Sequence, residues 1–394
     1  MNQIILINRV RVQNANAVAG FTWGFPAITH FLGFSHNLSR KLPKSNYCQL
    51  NMSGCAVIAH EYQVHTYGTY HDRFIQSKNP AYLSKDVTKV GSGGAPSIIE
   101  EGKMNMVVSL LIGLDGGLGK TQEYFLDWVR SRCLTQRLAG GSILSIGDVA
   151  VFDLNDQQDF YRLKRKLLPG FALMDRSYYL SEHVKETKEN NPRAENIDAW
   201  LDFSVLERRA RPVSNLITSH LKDLAKNNES LLPLFDAWQA HLSQPYDGQI
   251  PVLLNDYFSS LVPDKNNKKL FAQWQEYINP SAKTNADWEF LPKPKPGYLV
   301  PIMIGYKAIS PLYKNEEIAN TRDSKTEVCF VESVHSVGEW QGVNRFRNSE
   351  DITGSLWHYS YTSGWYLCTQ EQHSSDTELE TEVENLFEPL DELQ

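Results

Sequence analysis

A chain of 394 residues, 41% apolar and 22% charged, is long enough to bury a large core and has the balance of a globular protein rather than a disordered or fibrous one. It has no run of about 18 apolar residues, so no membrane span is expected, and "MNQIILINRVRV" lacks the basic start and small-residue cleavage site of a secretion signal. The net charge of −7 hides an asymmetry: residues 1–180 hold 19 Lys and Arg against 13 Asp and Glu, while the last 21 residues, "SSDTELETEVENLFEPLDELQ", hold eight acids and no base. A basic N-terminal half permits a nucleic-acid partner, although a solvated mixed surface gives the same count. Five cysteines (Cys48, Cys55, Cys133, Cys329, Cys368) without metal-like spacing point to a reduced, cytoplasmic protein without structural zinc.

In chain order, "IILINRVRVQ" alternates and is rich in Ile and Val, so it reads as a strand. "AITHFLGFSHNLSRKL" has helical spacing, with Arg40 and Lys41 in the last turn where the helix dipole favours them. "CAVIAHEYQVHTYG" is a second strand. Residues 67–103 lack a period, "MNMVVSLLIGL" is a third strand, and "GKTQEYFLDWVRSRCLTQRL" is a second helix that runs into Gly140 and Gly141. "SILSIGDVAVFDL" and "LLPGFALMD" are strand candidates on either side of the basic "FYRLKRKL". The order is β-α-β-β-α-β, with a 37-residue excursion between the second and third strands, and excursions of that length are often functional. Residues 181–296 read as a helical insertion ending in the stiff linker "LPKPKPG". Residues 297–373 read as a β-rich part, and 374–394 as an acidic tail expected to be disordered.

The ordered set "RVRVQNANA", "TWGFP", "FLGFSHNL", "IIEEGKMNMVVSLLIG", "QRLAGGSI", "RKLLPGFAL", "GYLVPIMIGYKAISPLY" and "FVESVHSVGEW" resembles the 5′-handle-binding RAMP subunit of type I-F CRISPR surveillance complexes, the Csy complex of antiviral defence. The helical stretch around 190–290 is longer than that pattern, and the acidic tail has no counterpart in it. The resemblance implies an α+β fold: a ferredoxin-like (RRM-type, RAMP) βαββαβ domain over 1–180, with residues 67–103 as a thumb. It implies a non-catalytic protein without a cofactor that caps the 5′ handle of the CRISPR RNA. Its partners would be the large subunit, the adjacent backbone RAMP subunit and target double-stranded DNA near the PAM. The alternative is a metal-independent RAMP endoribonuclease that processes precursor CRISPR RNA.

The candidate RNA-binding residues each have a second reading. Gly140, Gly141 and Ser142, with Arg137, fall where RAMP proteins keep a glycine-rich loop against RNA backbone; a plain helix stop reads the same. Asn14 and Asn16 suit base edges and Trp23 suits stacking, or they close turns and fill core. His36 on the first helix is a candidate contact, or a packed or solvated surface histidine; in the nuclease alternative His36, His60 or His71 would be the general acid or base. Tyr70, Arg73, Lys85 and Lys89 suit a clamp on single-stranded RNA, or an ordinary solvated loop. Arg162, Lys164, Arg165 and Lys166 suit phosphate, or the polar face of an amphipathic helix. No metal constellation is seen, and "GLDGGLGKT" departs from a phosphate loop by lacking glycine at Leu114.

Overall fold

The β-branched run Ile4, Ile5 and Ile7, followed by Val10 and Val12, fits a pleated surface packed on both faces, and it forms the strand on which the rest is hung. The computed structural model describes residues 3–43, 47, 49–69, 72–78, 98–244, 249–261, 264, 265, 267–321, 323 and 325–370. Residues 1–203 and 295–394 make one unit, and 204–294 a second. The whole is mixed α/β, with a large antiparallel sheet and, among the described residues, ten α-helices.

The first unit begins with β1 (Gln3–Asn16), α1 (Ile28–Arg40), β2 (Asn51–Val64), β3 (Lys103–Asp115) and α2 (Gln122–Leu134). It continues through β4 (Arg137–Leu138), β5 (Gly141–Ser145), β6 (Asp148–Asp153), α3 (Gln157–Leu167) and β7 (Phe171–Asp175) to α4 (Ser177–Asn190) and α5 (Asn196–Ser204). After the second unit it resumes with β8 (Leu299–Ala308), β9 (Val331–Gly342), α10 (Ser349–Thr353), β10 (Trp357–Thr362) and β11 (Trp365–Gln370). The second unit supplies α6 (Asn215–Asn227), α7 (Leu232–Ser243), α8 (Val252–Ser260) and α9 (Lys268–Ile278).

The eleven strands of the first unit pair in the order β4-β5-β1-β3-β2-β7-β9-β8-β11-β10, with β6 beside β5 on the same edge of β1. Within it, β6-β1-β3-β2 are consecutive, and every pairing is antiparallel. β10 also returns to β2 through Trp357 opposite Cys55, so six strands close into a ring. On one face, Ile5, Ile7, Val10 and Val12 pack under α1 (Phe31, Leu38) and α2 (Phe125, Val129). On the other, Ile4 and Leu6 pack under α3 (Phe160, Leu163, Leu167) and Ile352 of α10. Asp156 starts α3 by accepting from Gln158 N–H at 2.9 Å, the usual satisfaction of an orphan donor at a helix start.

The second unit buries Trp238, Phe258, Trp274 and Tyr277 among α6–α9, with Phe258 stacked on Trp274 at 4.1 Å. A ribbon of Arg208–Pro212 and Ala286–Phe290 accompanies the helices. Arg211 of that ribbon is 4% exposed. Its guanidinium bonds Glu289 at 2.8 Å, Tyr277 Oη and His241 O at 3.3 Å, and Gln244 O.

Three expectations are corrected. The second helix does not reach Leu138: it ends at Leu134, and Arg137–Leu138 is a strand. The segment read as wholly helical contains the strand Arg208–Pro212, which borrows its partner from residues 286–290. "SILSIGDVAVFDL" is two strands, which divide one edge of β1 between them. Within the excursion, Thr66–Tyr67 pairs with Arg73–Phe74 and Gln76–Lys78 with Ile98–Glu100. No helix among the described residues is long and apolar enough to cross a membrane.

Leu163 is fully buried between α3 and β1. Leu163→Ala should lower unfolding free energy by about 2–5 kcal/mol. The exposed Arg165→Ala on the same helix should stay within about 0.5 kcal/mol of the parent. Urea denaturation of both variants checks the contrast.

Candidate nucleic-acid interface

Two left-handed residues set the path of β1. Arg9 (φ 47°) and Asn14 (φ 54°) sit where its register against β3 shifts. Bulges of this kind bend a strand and re-aim its side chains. Asn tolerates that conformation. Arg9 is held in it because its N–H donates to Ser109 Oγ (3.0 Å) and its guanidinium to Leu168 O (3.2 Å). The Asn14 N–H donates to Asn105 Oδ1 at 3.1 Å.

α3 covers its face of the sheet as far as Leu6, Ile58 and Leu111. Beyond Ser109 the same face opens into a groove of about 300 Å³ lined by Arg11, Gln13, Glu61, Tyr62, Gln63 and Asn105, among others. β4 and β5 extend it sideways: Ser142 stands opposite Gln13 on one side and Arg137 on the other, so the three share a face. The structure thus brings Arg137 and Ser142 together with Arg11, Gln13 and Asn105.

The glycine pair is not a helix stop. Ala139 (φ 49°) and Gly140 (φ 75°) are the two turn residues between β4 and β5, the left-handed pair that a two-residue hairpin of matching twist requires. The turn is tied to β1 by Asn16 N–H donating to Ala139 O at 2.7 Å, and Arg137 donates to Gly140 O at 3.3 Å. The two glycines differ in purpose. A Cβ on Gly140 would meet nothing within 4 Å, so backbone there is open to approach. A Cβ on Gly141 would lie 2.7 Å from Ala15 N and Gln13 O, so that glycine lets β5 lie against β1.

Tyr62 leads from the groove into a cavity of about 510 Å³ lined by Trp23, Phe171, Tyr298, Met303 and Trp340, among others. Among the described residues, no Asp, Glu, Lys or Arg lines it. His60 stands between groove and cavity. Its Nδ1 is 2.7 Å from Pro169 O, a pure acceptor, so Nδ1 carries a proton, and its Nε2 is 2.7 Å from Ser109 Oγ, whose own proton goes to Asn8 Oδ1 at 3.0 Å. Burial, and secondarily Arg9, hold its pKa below the ordinary histidine value. Asn8 and Lys166 donate to Asp148 at 2.7 Å each. Burial alone would raise the Asp148 carboxyl, but these two bonds and the nearby cations keep it below its usual range.

Other candidates fall elsewhere. Asn16 closes a turn, donating to Val18 O at 2.8 Å and accepting from Val18 N–H at 3.1 Å. Trp23 is not core: it is 48% exposed at the cavity and lies edge-on to Phe74 at 5.3 Å. His36 is exposed on α1 beside Tyr359, on the opposite side of the sheet from the groove. Arg162 pairs with Asp159 at 2.8 Å, Lys164 donates to Asn344 O and Phe346 O, and Lys166 is held by Asp148. Of that cluster, Arg165 has no partner among the described residues. Arg73 is exposed on its short ribbon, whereas Tyr70, His71, Lys85 and Lys89 lie outside the described residues. Among the described residues no group of His, Cys, Asp or Glu is placed to hold a metal ion.

Sequence reasoning passed over Arg11, Gln13, Asn105 and Tyr62. The alternation in "RVRVQ" is the signal: with Val10 and Val12 buried, Arg11 and Gln13 must face the other way.

The family model Cas_Csy2, described as CRISPR-associated protein, matches residues 5–247 and 259–368. A protein named CRISPR-associated protein Csy2 from Pseudomonas aeruginosa (strain UCBPP-PA14) is 28% identical over 374 residues, covering 90% of this chain and 91% of that one.

Gly141→Val should strongly lower the melting temperature, because backbone atoms of β1 cannot yield, whereas Gly140→Asn should melt close to the parent, since Asn accepts a left-handed turn position. Stability should also depend on His60. Its depressed folded pKa means that its contribution is whole above about pH 6.5 and is lost as pH falls towards the folded value. The unfolding midpoint should therefore drop between pH 7.5 and 5.5, by less in His60→Gln; an identical drop in both would assign it to other groups.

Proposed function

The chain belongs to the Cas_Csy2 family of CRISPR-associated proteins, and from that premise we propose that it is a non-catalytic, cytoplasmic subunit that caps the 5′ handle of the guide RNA in a type I-F interference complex. The observation that carries this reading is the open sheet face on which Arg11, Gln13, Asn105, Arg137 and Ser142 converge, next to an aromatic cavity. Single-stranded RNA presents a charged backbone and unstacked bases. Guanidinium and amide donors with an exposed turn backbone suit the first, and aromatic faces suit the second. The order β6-β1-β3-β2, with α1 and α2 over one face, supports a ferredoxin-like RAMP domain within residues 1–180. In this reading residues 67–103 form its thumb, 181–296 an insertion and linker, and 297–373 a β-rich extension. Arg73, with Tyr70, Lys85 and Lys89, clamps the strand.

The partners that go with this role are the large subunit, the adjacent backbone subunit and duplex DNA near the PAM. Sequence choice is then delegated to guide–target pairing. Among the described residues, His60 beside the groove has both ring nitrogens bonded and His36 lies across the sheet, which favours binding over cleavage.

Affinity for handle RNA should fall steeply with salt. Arg11→Ala and Arg137→Ala should each flatten the log–log salt slope by about 0.7. A slope unchanged in both variants would remove the groove from RNA binding. Incubation with precursor CRISPR RNA in EDTA should leave the RNA intact but shifted in a gel; a cut within the repeat would establish the nuclease instead.

A further inference from the structure

Glu61 stands apart on the sheet face that carries the RNA-binding reading. Among the described residues that line the groove it is the one acid, and Arg11 is the one base. Both are exposed, and neither side chain is hydrogen-bonded or ion-paired within the described residues. They belong to one row across the sheet: Arg11 stands opposite Val107 on β3, and Val107 stands opposite Glu61 on β2. Residues directly opposite share a face, so the row runs cation, apolar floor, carboxylate. Two strand spacings set its ends about 10 Å apart. Next to it, Gln63 stands opposite Asn105 and Gln13 lines the same groove, and none of the three carries charge.

A carboxylate repels a phosphate backbone, so an acid on this face costs affinity unless it meets a donor. An ionised carboxylate only accepts hydrogen bonds. The donors of single-stranded RNA are its 2′-hydroxyls and the edges of its unstacked bases. Guanine alone offers two donors side by side, N1–H and N2–H2, which match the two oxygens of a carboxylate. Adenine and cytosine set one amino group beside a ring acceptor, and uracil sets one N–H between two carbonyls, so each would turn a lone pair towards the second oxygen. A guanine nucleotide is anionic at its phosphate, flat along its ring and donor-rich at its far edge. Arg11, Val107 and Glu61 lie in that order.

Resting on the RNA-binding role above, we propose that Glu61 selects guanine. One nucleotide lies across β1, β3 and β2, with its phosphate on Arg11, its ring over Val107, and its N1–H and N2–H2 donated to the Glu61 carboxylate. Tyr62 and Leu144, both exposed in the same groove, flank the ring. Arg11 supplies affinity for any strand, and Glu61 decides which base sits beside it.

The test is equilibrium binding of the full-length chain to short oligouridylates that carry a single G, inosine, A or C at the centre, beside the all-U strand. The G strand should bind at least about fivefold tighter than the A, C or all-U strands, the lower end for one bidentate base contact. Inosine, which lacks the N2 amino group, should fall between. Glu61→Ala should erase the ranking and bind the all-U strand as tightly as the parent or slightly tighter, since a negative charge is gone. Arg11→Ala should weaken every strand alike and keep the ranking. Equal binding of all strands by the parent, a preference for another base, or a guanine preference that survives Glu61→Ala would overturn the guanine site and leave the RNA-binding role standing. Binding of no strand at all would overturn both.

Discussion

A helix rises about 1.5 Å per residue and a strand about 3.3 Å, so the eleven residues of α3 span about 16 Å while the fourteen of β1 span about 46 Å. The helix cannot roof the strand it packs on. Its coverage stops near Leu6 and Leu111, and the uncovered remainder becomes the groove. At the boundary, backbone and side-chain polar groups that the roof would have left unpaired are satisfied locally by Asn8, His60, Ser109 and Asp148. That network seals the dry half of the face from the wet half. The two bulges of β1 fall at and beyond this boundary, and they turn the strand so that its far end carries arginine, glutamine and asparagine rather than aliphatics.

Local pattern made much of this architecture legible. The first three long strands and α1 followed from alternation and from helical spacing, and both signals survive because each element has one buried face. The hairpin at the glycine pair was not legible because a helix stop and a hairpin turn use the same residue for the same reason, a left-handed backbone. What separates them is whether Arg137–Leu138 finds a strand partner, and that depends on β5 and β1. The strand at Arg208–Pro212 was hidden for a like reason, since its partner lies more than seventy residues on. The basic run on α3 was legible as charge but not as interaction: three of its four cations are spent on Asp159, Asp148 and two backbone carbonyls. A dense cluster on a helix can serve its own fold before it serves a ligand.

In the second unit, Arg211 shows the same economy. A guanidinium taken almost fully out of water is destabilising unless its donors are met. Here a carboxylate, a phenol and two carbonyls meet them, and the ribbon is fastened to the last turn of α7 and to α9. The ribbon has only two strands, too few to stand alone in water, so this buried cation and the aromatic cluster of Trp238, Trp274 and Tyr277 give it a platform.

The ring closed by Trp357 opposite Cys55 also has a history in time. Its strands are drawn from both ends of the chain, so the edge of β2 at residues 55–59 waits for β7 and finally for β10. At about 5–20 residues per second, the ribosome needs roughly 15–60 s to travel from Ala59 to Gln370. Until β7 is made, residues 58 and 59 lack their partners on that edge, and Cys55 lacks its own until β10, the kind of edge that recruits other strands. Pairings this distant in sequence are also slow to form once the chain is released. The ring is therefore completed only after its last strands have been made.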